Sequence, residues 1–180
     1  MKNAINSIRR YLVNKFSQNK LLKVVYCGPI RRINRRIRRA LVPKFVIVGR
    51  DKIFIDKYDT LNLDLNKGYG SEFFNSLIAQ NIKKGDVVLN IGANIGFYTL
   101  MLAKLVGEKG KVYAFEPSPS NFMLLKKNAE INNYRNVIPV NKAVSDRTGR
   151  IKLYLDEYNQ GNNGIYKNMK NAPFVEVDVI

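Results

Sequence analysis

The sequence predicts an α/β fold with a doubly wound, mostly parallel sheet, and three observations carry that expectation. Val87-Val-Leu-Asn-Ile is a nearly continuous apolar run, the pattern of a strand buried on both faces of a parallel sheet. Gly92 to Gly96 follows it directly as a tight loop and opens a mostly apolar helical stretch, Phe97 to Val106, ended by Gly107. Strand-like and helix-like segments then alternate as far as Val140, the order that right-handed crossovers turn into parallel strands.

A chain of 180 residues, 46% hydrophobic and 25% charged, suits one globular domain with an appendage. The appendage is residues 1–44, which hold 13 of the 31 Lys and Arg residues and none of the 14 Asp and Glu residues. This arm, rather than the domain over 45–180, accounts for most of the formal charge of +17. Ile5, Ile8, Leu12 and Phe16 fall at helical spacing, as do Ile30, Ile33, Ile37 and Leu41 among six arginines. Two basic amphipathic helices broken at Gly28-Pro29 are expected, with Pro43 at the domain boundary. Such an arm suits an anionic membrane surface, where each cation contributes about 1 kcal/mol. Nucleic acid is the less favoured polyanion, because the arm has few aromatics for base stacking. The apolar stretch Leu21 to Ile30 is interrupted by Lys23 and Gly28-Pro29, far short of the roughly 20 residues that span a bilayer. No secretory signal is evident either, so a cytoplasmic protein is expected; peripheral contact with a membrane through the arm is one reading of the charge, and a basic proteome or packing of the arm against further residues is the equally weighted other.

Within the domain, Phe45-Val-Ile-Val and Ile53-Phe-Ile flank Gly49-Arg-Asp-Lys and predict two strands joined by a turn. Ser71 is placed to cap a helix that carries Phe73, Phe74, Leu77 and Ile78 inward, ended by Lys83-Lys84-Gly85. After the glycine loop and its helix, Lys111-Val-Tyr-Ala-Phe-Glu reads as the second parallel strand. Ser118-Pro119 is an N-cap followed by proline at the first helical position, opening a helix with Phe122, Leu125 and Ala129 on one face. Asn136 to Val140 reads as the third strand. Arg150-Ile-Lys-Leu-Tyr-Leu and Phe174-Val-Glu-Val-Asp-Val both alternate, which predicts an antiparallel hairpin inserted after it. The chain stops inside that hairpin, with no closing helix, as a C-terminally truncated sheet would.

The chemistry concentrates at the glycine loop. Glycines directly after a buried strand let a ligand approach the backbone, and the next helix presents its N-terminal N–H groups. Glu116 closes the following strand 20 residues after Gly96, a separation at which a carboxylate reaches a ribose diol. A nucleoside pocket follows. The dinucleotide fingerprint wants further glycines where this chain has Asn94 and Phe97, so a nicotinamide or flavin cofactor is the minor alternative. With no histidine and one cysteine, Cys27, the chain can build neither a Cys/His zinc site nor a disulfide, and no metal is expected. No residue stands out as a catalytic base.

Asn90-Ile-Gly-Ala-Asn-Ile-Gly-Phe-Tyr-Thr, Phe115-Glu-Pro, Asn133 with Asn136-Val137, and Asn141-Lys-Ala-Val-Ser-Asp with Gly149 resemble the successive motifs of the FkbM family of methyltransferases. The resemblance covers about 45–180 and leaves the arm outside. It implies a class I, Rossmann-like methyltransferase fold with S-adenosyl-L-methionine as cofactor. By position it places Gly92, Ala93, Asn94 and Gly96 against the methionine moiety, together with Asn90, where many members carry an acid. Glu116 falls on the ribose, and Ala143 borders the adenine. The implied reaction is O-methylation of a small molecule, sugar or glycan, with catalysis by orientation of the acceptor toward an already reactive sulfonium methyl. A nucleic-acid methyltransferase using the arm, and a noncatalytic truncated remnant, are the competing readings.

Overall fold

The computed structural model describes residues 43–55, 72–156, 163–165 and 172–180, all within the unit Pro43–Ile180. The two arm helices expected before Pro43 lie outside the described residues, as do Ser71 and the side chains of Phe73 and Phe74. The described elements are β1 (Phe45–Val48), β2 (Asp51–Phe54), α1 (Glu72–Asn81), β3 (Val87–Ile91), α2 (Phe97–Val106), β4 (Lys111–Phe115), α3 (Pro119–Ile131), β5 (Val137–Val140), β6 (Gly149–Tyr154) and β7 (Phe174–Val179).

The centre of the fold is the parallel sheet β3-β4-β5, with Val87 opposite Lys111 and Val112 opposite Val137. Two successive right-handed crossovers advancing in one direction place both helices, α2 and α3, on the same face of this sheet. Val112 and Ala114 of β4 are fully buried beneath them, with Leu100, Val106 and Leu125 in the same core. The opposite face receives nothing from these crossovers. Val87, Leu89 and Ile91 are 65%, 61% and 60% exposed, so the expectation of a strand buried on both faces is corrected. The apolar run belongs to the edge strand of the sheet, and among the described residues no element pairs with its other edge. An exposed apolar face beside an open strand edge favours self-association. Leu89→Lys is expected to change the melting midpoint little while reducing light scattering at high protein concentration; unchanged scattering would count against this face as the sticky surface.

The β1-β2 hairpin forms as the sequence indicates, with Phe45 opposite Phe54 and Gly49 supplying the φ of +61° that suits a two-residue hairpin loop. Asp51, buried beside its turn, pairs with Lys104 of α2 at 2.7 Å and accepts a hydrogen bond from Tyr134 Oη at 2.9 Å. Burial, then the hydrogen bond to Asp51 and its charge, push the Tyr134 phenol well above its ordinary pKa. Asn132, the C-cap residue of α3, pairs with the Lys52 backbone through its side-chain amide, accepting at 2.9 Å and donating at 2.8 Å.

Two helix expectations are adjusted. Leu77 of α1 is 44% exposed rather than inward. Ser118 does occupy the N-cap of α3 with Pro119 behind it, yet its hydroxyl makes no cap bond and lies 3.1 Å from Ser120 Oγ instead. β6 and β7 pair antiparallel from Gly149↔Val179 to Tyr154↔Phe174. Their inner residues Leu153, Val177 and Val179 form a small core with Ala143, which bridges in parallel to Val179. Among the described residues, no helix is long and apolar enough to cross a membrane.

Candidate functional site

The chain leaving β3 turns sharply because three residues take positive φ: Gly92 at +74°, Asn94 at +51° and Gly96 at +96°. Asparagine tolerates this region better than other side-chain-bearing residues, and here its Oδ1 accepts the Ile95 N–H at 2.7 Å. The loop is sewn to the end of the neighbouring strand. Gly92 and Ala93 both donate their N–H to Phe115 O at 2.9 Å, and Gly96 N–H closes the turn on Ala93 O at 2.9 Å. At Gly96 a Cβ would stand 2.8 Å from Leu125 Cδ1 of α3, so a side chain there would displace the Leu125 methyl as well as strain the φ of +96°.

Glu116 is the hub of the site. It sits just past β4, 5% exposed, and its Oε2 accepts the Asn94 N–H at 2.7 Å while Oε1 accepts the Ser118 N–H at 2.9 Å. The Asn121 side chain adds a further hydrogen bond. Burial pushes the carboxyl above the ordinary glutamate range, and these three hydrogen bonds pull it only part of the way back. A carboxylate offers about four lone-pair positions, and with three taken one is left, enough for a single hydroxyl of a ribose. The raised value has a consequence for stability. A carboxyl that holds its proton more tightly when folded favours folding below its unfolded pKa of about 4.3, and that contribution is lost as pH rises through the folded value. The stability of the parent relative to Glu116→Gln, from urea melts between pH 4 and pH 8, is therefore expected to fall as pH rises and then level off. A difference that grows with pH would contradict the burial argument.

Of the residues picked from the sequence, Gly92, Ala93, Asn94, Gly96 and Glu116 form one hydrogen-bonded unit. Asn90, on β3, is bonded elsewhere: its Nδ2 donates to Thr99 Oγ1 in the first turn of α2, at 2.8 Å. Ala143 stands apart: it is 7% exposed, its side chain fills the core of the β6-β7 hairpin, and its backbone is engaged by Asp178 O and Ile180 N–H. It has little side-chain surface to offer an adenine. Two residues of the site had no role assigned from the sequence, Asn141 appearing only within a motif and Asn128 in none. Asn141 Nδ2 donates to Glu116 O at 2.8 Å and ties β5 to the acid, and Asn128 Nδ2 donates to Ile95 O in the loop at 2.8 Å. The four-residue spacing of Asn128 and Asn132 on a helix was the available signal for the second.

The arrangement is a backbone cradle at the C-terminal edge of a parallel sheet, closed by a carboxylate, where open α/β sheets bind nucleotides. Residues 61–153 match the TRM5/TYW2 methyltransferase domain, slightly more than half of the chain. The chain belongs to the TRM5/TYW2 methyltransferase domain family. It is a class I S-adenosylmethionine-dependent methyltransferase domain. Among curated relatives, the probable cobalt-precorrin-6B C(15)-methyltransferase (decarboxylating) of Sulfolobus acidocaldarius is 29% identical over 118 residues, 64% of this chain and 54% of that protein. The 31-O-demethyl-FK506 methyltransferase FkbM of Streptomyces tacrolimicus is 38% identical over 77 residues, 42% of this chain and 29% of that protein. Among solved structures, M. jannaschii TYW2 in complex with AdoMet aligns with a TM-score of 0.41 at 21% identity, over 58% of this chain and 51% of that one. The chain spans about half, or less, of the length of the curated relatives it matches, from 27% to 54% for the first three.

Proposed function

We propose that this chain is the cofactor-binding part of an S-adenosylmethionine-dependent methyltransferase that O-methylates a small molecule, sugar or glycan, as members of the FkbM family do. The observation that carries the cofactor part is Glu116, which holds the loop through Asn94 N–H and keeps one acceptor position for a ribose hydroxyl. The acceptor class is supported by the motifs from Asn90 to Thr99 and Phe115 to Pro117, and by the 38% identity to the FK506-pathway enzyme. In this reading the backbone of Gly92, Ala93, Asn94 and Gly96 borders the methionine moiety, with the Asn90 amide beside it, and Glu116 orients the ribose. The cofactor supplies an electrophilic methyl group, and the chain's part is to bind and orient.

Calorimetric titration of S-adenosylhomocysteine into the chain tests the first half: saturable binding is expected, and a cooperatively folded chain that binds nothing would end the proposal. Transfer of labelled methyl from S-adenosylmethionine to hydroxylated small molecules and glycans, with RNA and DNA as comparison acceptors, tests the second. Label appearing in nucleic acid alone would replace the acceptor class. The arm favours a polyanionic surface, because 13 cations precede residue 45 with no acid among them. An anionic membrane is the partner proposed for it, and flotation with anionic vesicles at low salt is expected to carry the chain upward; no flotation removes the membrane.

A further inference from the structure

Asn128 of α3 is fully buried and uses its amide in two directions. Toward β2, its Oδ1 accepts the Phe54 N–H at 2.7 Å and its Nδ2 donates to Phe54 O at 3.0 Å. Asn132 makes the same reciprocal pair with Lys52. The match is geometric: four residues of a helix advance about 6 Å, and two residues of a strand about 6.7 Å. Two asparagines one turn apart therefore stand in for a neighbouring strand along the edge of β2. The difference between them is the second proton of Asn128 Nδ2, which goes to Ile95 O in the glycine loop at 2.8 Å. The corresponding proton of Asn132 goes to Asn128 O within the helix.

Ile95 O and Gly96 N–H belong to one planar peptide and point in opposite directions. Holding that carbonyl aims the Gly96 N–H at Ala93 O, the bond that closes the loop. The peptide lies between two residues of positive φ, Asn94 and Gly96, where the backbone has no helical or strand ladder of its own to fix it. We propose that Asn128 is a positioning residue for the cofactor: one buried amide locks the Ile95–Gly96 peptide of the loop to the β1-β2 hairpin. The hairpin is thereby part of the cofactor site's scaffold although none of its side chains reaches the loop's hydrogen bonds. This inference rests on the cofactor reading above.

The test compares Asn128→Ala with Asn132→Ala in the full chain. Both lose a reciprocal pair with β2, and only the first loses the bond to the loop. With S-adenosylhomocysteine as probe, Asn128→Ala is expected to bind about tenfold more weakly, and Asn132→Ala within about twofold of the parent. Amide hydrogen exchange at Gly96 is expected to quicken in Asn128→Ala alone. Should Asn128→Ala fail to melt cooperatively, Asn128→Asp keeps the shape and the acceptor for Phe54 N–H and is read the same way. Equal affinity losses in the two positions, or parent-like binding by the Asn128 variant, overturn the inference while leaving the cofactor reading intact. A folded parent that binds no S-adenosylhomocysteine overturns both.

Discussion

Truncating Glu116 to alanine is expected to weaken S-adenosylhomocysteine binding by about a hundredfold and to lower stability by about 3 kcal/mol. Two different losses underlie these figures. In the unliganded chain the carboxylate accepts the Asn94 N–H at 2.7 Å and the Ser118 N–H at 2.9 Å, and a methyl group leaves both donors facing a largely dry pocket. An unsatisfied buried donor costs about 1–3 kcal/mol, which offsets the relief of no longer burying a carboxyl. Binding then suffers twice, because the ribose loses its charged acceptor and Asn94 loses the bond that sets the loop. Glu116→Gln separates the two: its single oxygen can serve only one of the N–H groups, so its effect on both quantities should be intermediate. Calorimetry gives the affinity and urea unfolding the stability. Alanine and parent chains binding within twofold of each other would remove Glu116 from the cofactor site.

The second large effect is expected far from any ligand. Gly110→Ala should cost about 3 kcal/mol, because its Cβ would stand 2.5 Å from Val106 Cβ and 2.6 Å from Asp86 O. Neither neighbour can give way cheaply. Val106 is fully buried at the end of α2, and Asp86 O accepts the Lys111 N–H that starts the β3-β4 ladder. Gly92→Ala is the comparison: nothing lies within 4 Å of its Cβ position, so only its φ of +74° is strained, at about 1 kcal/mol. Urea melts of both variants should show Gly110→Ala with the larger loss of midpoint. The reverse order would mean that the α2–β4 junction relaxes more readily than its packing suggests.

The elements carrying the site were legible because their signals are local. The run Val87 to Ile91, the glycines, the apolar stretch to Val106 and Ser118-Pro119 each state a conformation within a few residues, and the observed β3, α2, β4 and α3 follow them closely. Glu116 was legible for a related reason: in a βαβ unit, chain length fixes which residue ends the next strand beside the loop. Exposure was not legible. Val87, Leu89 and Ile91 look like core residues to any pattern, and whether they are covered depends on which elements lie on the second face of the sheet.

By itself, then, the sequence determined the order of strands and helices, the basic arm, the glycine loop with its acid and the absence of histidine chemistry, all properties of residue type and spacing. Tertiary structure alone decided that Ala143 belongs to the β6-β7 core, that Glu116 spends two lone pairs on backbone N–H groups, and that Asn128 joins a hairpin to the loop. The reason is range. Asn128 and Phe54 are 74 residues apart, and an asparagine on a helix declares nothing about its partner until the fold has set a bare strand edge beside it.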